Sequence, residues 1–176
     1  MASVTYVIGV DIGTQSTKAV LVSTAGAIVA QHSHAYQVET PKPLWAQQWP
    51  DVWMDAVEKC IKGVLARTSI APAAIKSICV SSLYGGSGIP VDTAGKALYP
   101  CLIWMDRRAT AEVEWVQRTV DLERLYDITG NSVDSYYGYT KMLWLREHEP
   151  AVWAATDKFL PPNSYVNARL TGEVAV

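Results

Sequence analysis

A carboxylate, a glycine, two hydroxyls and an ammonium group stand close together near the start of the chain, in the run Gly9-Val-Asp11-Ile-Gly13-Thr14-Gln15-Ser16-Thr17-Lys18. Gly13 lets a backbone turn tightly and approach a ligand closely. Successive N–H groups in such a turn can cradle an anion. Thr14 and Ser16 add hydroxyl donors and Lys18 adds a cation. Asp11 would repel a phosphate unless a cation lies between them, and Mg²⁺, which takes one or two carboxylates together with waters and phosphates, suits that place. The set therefore fits a magnesium–nucleotide phosphate site. An ordinary hairpin turn uses the same Asp, Gly and Thr residues, so the run alone leaves both readings open. The chain has no G-x-x-x-x-G-K-[ST] or G-x-G-x-x-G at a strand–helix junction, which excludes the P-loop and dinucleotide fingerprints.

The elements around this run can be read from periodicity. Residues 6–10 form a short β-branched run, residues 17–22 resume a strand, and the Thr24-Ala-Gly26 bend leads into a third over 27–38. The chain thus opens with an antiparallel meander. Residues 40–49 read as a Pro- and Trp-bearing loop, and Pro50 opens a helix predicted over 51–66 from the spacing of Trp53, Val57, Cys60, Ile61, Val64 and Leu65. Strands follow at 77–80, 88–92 and 101–104, with a Gly/Ser loop over 81–88. Helices are predicted at 109–118, 121–127, 140–147 and 163–170. A meander, a helical crossover and a further strand make an α/β pattern. The end of the chain, a turn at Gly172 with a strand-like start, reads as a cut within a larger protein.

Composition narrows the function classes. The 176 residues are 49% hydrophobic and 18% charged, with a formal net charge of −2. That is ordinary globular material without the basic face of a nucleic-acid binder. No apolar stretch approaches the about 18 residues of a membrane span, and the N-terminus does not read as a signal peptide, so a cytoplasmic protein with no membrane partner is expected. Cys60, Cys79 and Cys101 lack metal-ligand spacing and read as buried free thiols. Seven Trp and nine Tyr stand against one Phe, and most are expected in the core.

Further landmarks follow in order: Pro43-Leu-Trp45-Ala-Gln-Gln-Trp-Pro50; Ile103-Trp104-Met-Asp106-Arg107-Arg108; Thr129-Gly130; Tyr136; Thr140-Lys141-Met-Leu-Trp144-Leu145-Arg-Glu147-His148-Glu-Pro150; Leu160-Pro-Pro-Asn-Ser-Tyr165; and Leu170-Thr-Gly-Glu173. With the Asp11-Ile-Gly13-Thr14 turn, they make the chain resemble the FGGY carbohydrate kinases, of the sugar kinase, actin and hexokinase superfamily. The resemblance runs over essentially the whole chain. It implies a ribonuclease-H-like α/β fold, a mixed sheet with flanking helices, and identifies residues 1–176 with the N-terminal domain, truncated and without its C-terminal partner. It implies ATP-dependent phosphorylation of a sugar or polyol, with a pentulose as the preferred acceptor, and ATP and Mg²⁺ as cofactors. By position it assigns Asp11 to Mg²⁺ organisation, and Gly13, Thr14, Gln15, Ser16 and Lys18 to the nucleotide phosphates. Tyr84, Gly85, Trp104, Asp106, Arg107 and Tyr136 fall at the acceptor, although Asp106 and Arg107 read equally well as a structural ion pair with each other. The family's general base is an Asp in a Gly-Gly-Asp-like turn, which this chain does not reach.

Two positions depart from the family pattern. Xylulose kinases show Gln-Met-His-Gly and glycerol kinases Gln-Arg-Glu where this chain has Ser81-Ser-Leu-Tyr84-Gly85-Gly86, so the acceptor is not fixed, and Gly85 is expected to leave room for a bulkier one. Gly138 stands where the family signature prefers Ser, Thr or Pro. Two other classes remain to be weighed: a non-catalytic sugar- or partner-binding fragment of the same fold, and an actin-like polymer subunit, against which Trp104 and Lys141-x-x-Trp144 argue. Apolar surface exposed by the truncation is expected to drive self-association, a homodimer being one form of it.

Overall fold

The computed structural model describes residues 4–174. In chain order the elements are β1 (Tyr6–Ile12), β2 (Ser16–Ser23), β3 (Ile28–Ala35), β4 (Gln47–Gln48), α1 (Pro50–Leu65), a 3₁₀ turn (Pro72–Ala74), β5 (Ile75–Ser82), β6 (Ile89–Val91), β7 (Cys101–Leu102), α2 (Thr110–Thr119), α3 (Leu122–Thr129), α4 (Gly138–His148), α5 (Pro150–Ala155), β8 (Lys158–Leu160) and α6 (Pro162–Thr171). They divide into two compact units, one of described residues up to 38, 50–83 and from 162 onward, the other of 39–49 and 84–161.

The first unit is built on a four-stranded sheet of order β3-β2-β1-β5, antiparallel through the meander and parallel between β1 and β5. The predicted crossover helix is α1, opened by Pro50 at a position that needs no N–H donor. Its Trp53, Val57, Cys60 and Val64 recur at helical spacing and are completely buried. They meet the alternate residues Ile8, Val10 and Ile12 of β1 and Ala19 and Leu21 of β2, also buried. α6 lies along β5 and α1. The opposite strand positions (Gly9, Asp11, Lys18, Cys79 and Ser81) are exposed or half-buried. This period-2 division explains one correction: Cys60 and Cys101 are buried as expected, but Cys79 is exposed. Burial pushes the Cys101 thiol up to about 12, so it stays protonated.

The second unit joins two short antiparallel pairs, β4–β7 and β6–β8, with four helices. Its core gathers Leu102, Ala109, Trp144 and Leu145, with Trp45, Tyr99 and Phe159 packed against them. α3 is capped at both ends, by the Asp121 side chain accepting from Arg124 N and by Gly130 in the left-handed region at φ 67°. Trp53, Trp144 and Tyr165 are core residues, whereas Tyr84, Tyr126 and Trp115 are exposed, so the aromatic excess is divided between core and surface. Among the described residues no helix is long and apolar enough to cross a membrane. The strand-like start expected after Gly172 falls partly on Ala175 and Val176, outside the described residues.

Candidate functional site

Pairing places the candidate phosphate residues in one row. Antiparallel register sets Asp11 opposite Lys18, and the parallel partner sets Ser81 beside Asp11. Strand alternation turns all three away from the face covered by α1. There they line a shallow trough of about 280 Å³ with Gly9, Val20 and Cys79. Asp11 is exposed at the end of β1. No group of three or more His, Cys, Asp or Glu able to hold a metal occurs among the described residues. A lone exposed carboxylate still matches what Mg²⁺ asks of a protein when waters and phosphates supply the other ligands.

The turn itself is held from both sides. Gly13 N donates to Ser16 O at 2.9 Å. Tyr36 hydroxyl donates to Gly13 O at 2.7 Å and lies 3.2 Å from Thr17 Oγ1, while Tyr36 N donates to Gln15 O at 3.0 Å. A Cβ on Gly13 would lie 3.0 Å from Ser16 O, which explains the glycine. The Gly13 amide closes the turn through Ser16 O. Thr14, Gln15 and Ser16 form the tip, with Gln15 and Ser16 exposed. Burial pushes Tyr36 up to about 12, so its hydroxyl remains a donor throughout the neutral range. Tyr36→Phe should leave Gly13 O and Thr17 without that partner and cost about 1–2 kcal/mol. Urea denaturation checks this, and an unchanged midpoint would contradict it.

In the second unit, Gly85, Trp104, Arg107 and Tyr136 come together. The Trp104 and Tyr136 rings lie 6.3 Å apart and the Arg107 guanidinium 5.9 Å from the Tyr136 ring. Arg107 also pairs with Asp134. Gly85 has φ 82°, and a Cβ there would lie 2.8 Å from Tyr136 Cζ and 3.1 Å from Trp104 Cβ. The room expected at Gly85 is thus already filled by Tyr136, and the glycine serves close packing. Tyr84 is 81% exposed, its ring in solvent rather than packed into this cluster.

Asp106 is not an open acceptor-site group. It is completely buried, accepting from Ala46 N at 2.7 Å, Arg108 N at 3.0 Å and Arg108 Nε at 2.9 Å. Arg108 continues to Gln47 Oε1 at 2.8 Å and lies over Trp45 at 3.7 Å and Trp144 at 4.9 Å. Trp45, Asp106, Arg108 and Trp144 were all legible as landmarks, but their joint structural role was not. Lys141, a landmark whose role the sequence does not show, lies beside Gly85 and Tyr136.

The family model for the FGGY family of carbohydrate kinases, N-terminal domain, matches residues 6–176. This chain belongs to the FGGY carbohydrate kinase family. It is 33% identical over 168 residues to a xylulose kinase of Klebsiella pneumoniae, covering 96% of this chain and 34% of that protein. The crystal structure of xylulose kinase from Rhodospirillum rubrum superposes with a TM-score of 0.89 at 32% identity, covering 97% of this chain and 35% of that one. Gluconate kinase from Lactobacillus acidophilus gives 0.89 at 27%, covering 98% and 34%. The FGGY chain thus spans about a third of the length of these relatives, and its mixed sheet with flanking helices is the α/β fold they share.

Proposed function

We propose that this FGGY chain is the N-terminal domain of an ATP-dependent sugar kinase, with a pentulose as the preferred acceptor. The observation that carries the reading is the Lys18–Asp11–Ser81 row beside the closed Gly13 turn. Phosphoryl transfer is chiefly positioning and electrostatic stabilisation. In it the acceptor hydroxyl oxygen bonds to the γ-phosphorus, the bond from that phosphorus to the β–γ bridging oxygen breaks, ADP leaves and the hydroxyl proton passes to a base. Asp11 would hold Mg²⁺, which when bound neutralises charge on the phosphates. Lys18 and the Thr14–Ser16 tip would orient the nucleotide. Trp104 and Tyr136 offer aromatic faces to the C–H surfaces of a sugar, and Arg107 offers donors to its hydroxyls. The remainder of the protein would supply the base and close the site against water.

The test is an assay of the full-length enzyme with ATP and Mg²⁺ against pentuloses, pentitols, gluconate and glycerol. ATP-dependent phosphorylation of a pentulose is expected. Sugar binding without turnover on any acceptor would overturn the reading in favour of a non-catalytic member of the fold. The isolated 176-residue chain is expected to show no turnover, because loss of general-base help alone costs about 10²–10⁴ in rate. Measurable kinase activity from it would mean that the catalytic groups have been misplaced.

A further inference from the structure

We propose that Gly138 and Lys141, both on α4, clamp the 84–86 loop against Tyr136 and thereby set which acceptor the enzyme takes. The inference rests on the kinase reading above and deepens it. Gly138 has no side chain because there is no space for one. A Cβ there would lie 2.3 Å from Gly86 O and 3.3 Å from Gly86 C. The obstacle is backbone, so any side chain at 138 must displace the loop or the helix. Gly138 is the first residue of α4, directly after the N-cap Tyr137, so the close approach sits at the helix start. From its other side Gly86 is equally confined, since a Cβ would lie 3.0 Å from both Cys101 Sγ and Leu102 O. The next residue is tied to β7, with Ser87 N donating to Leu102 O at 2.9 Å and Leu102 N to Ser87 Oγ at 3.1 Å.

Lys141 lies one helical turn after Gly138, on the same face. It is completely buried, and its Nζ donates to Gly85 O at 3.1 Å, Ser135 O at 2.7 Å and Tyr136 O. An ammonium has three N–H donors, and here three carbonyls receive them. One belongs to the loop and two to the segment carrying Tyr136, so Lys141 fastens the two sides of the acceptor cluster together. Lys141 is a positioning residue, acting through Gly85 and Tyr136 rather than on the sugar.

The clamp has a pH signature. Burial lowers Lys141 from 10.5 to about 8, opposed by Asp106, Cys101 and Asp134 and assisted by Arg107. Because the folded value lies below the ordinary one, the folded chain gives up this proton first. The cation, with three donors, prevails below about 8, and the neutral amine, with two, prevails above it. The clamp is complete at neutral pH and loosens as pH rises.

The experiment uses the full-length enzyme and reads kcat and KM separately for acceptor and ATP, across roughly pH 6.5–9.5. Gly138→Ser should raise the acceptor KM about tenfold, since displacements of about 1 Å are costly at a positioned site. It should also change the ratio of KM values among pentuloses while leaving the ATP KM within about twofold. In the unmodified enzyme the acceptor KM should rise above about pH 8, and Lys141→Arg, which stays charged, should abolish that rise. This second arm stands even where Gly138→Ser does not fold. Equal effects on acceptor and ATP, or an acceptor KM flat across pH, would overturn the clamp. Absence of sugar phosphorylation by the unmodified enzyme would instead overturn the kinase reading beneath it.

Discussion

Asp11→Ala in the full-length enzyme is expected to lower turnover by about 10²–10³-fold, the scale of losing one group preorganised toward transition-state charge. The side chain stands exposed at the end of β1, between Lys18 and Ser81 in the sheet register. Its removal opens no cavity and leaves no buried partner, so the stability cost should stay within about 0.5 kcal/mol. Lys18 would remain to attract phosphate, so ATP should still bind, and the loss should fall on kcat more than on the ATP KM. Asp11→Asn, which keeps the shape and removes the charge, should behave nearly as badly if the carboxylate serves Mg²⁺. Near-normal turnover by Asp11→Ala, or a defect explained by a lower melting temperature, would remove the phosphate turn from the mechanism.

The second large effect is on stability. Asp106→Ala should cost about 3–5 kcal/mol, because it leaves a buried cation without its counter-charge. Asp106 and the Arg108 side chain are almost wholly buried, and the carboxylate also receives Ala46 N and Arg108 N. Arg108 Nη1 has no hydrogen-bond partner among the described residues. After the substitution the guanidinium would keep Gln47, Tyr99 and the Trp45 and Trp144 faces, none of which carries a negative charge. A loss of that size is a large part of the about 5–15 kcal/mol of a typical domain. Urea denaturation measures it, and a change below about 1 kcal/mol would refute the ion-pair role. The double variant Asp106→Leu with Arg108→Met should recover much of the loss, since replacing a buried pair whole is far milder than breaking it.

What the sequence determined by itself is local and periodic. The meander, the turn at Asp11–Lys18, the start of α1 at Pro50 and the approximate places of α2, α3, α4 and α6 follow from alternation, helical spacing and turn chemistry, which act over a few residues. The order of the landmarks carried the family. Elements without a periodic signal escaped: β4 and β8 are two and three residues long and exist by virtue of β7 and β6, and α5 is a single short stretch between Pro150 and Ala155.

Partnership was decided only in three dimensions. Asp106 has two arginines next to it in sequence, and packing joined it to Arg108 while Arg107 turned to Asp134. Gly85 reads as open space in a string of letters and is filled by Tyr136, which lies far along the chain. Lys141 is a landmark on a helix whose partners the sequence does not name, and it is buried against three carbonyls. In each case the deciding quantity is whether a distant group occupies the adjacent volume or satisfies the adjacent charge. Burial makes an unpaired charge or an empty space expensive, and which group relieves that cost depends on tertiary contacts between segments that local sequence does not encode.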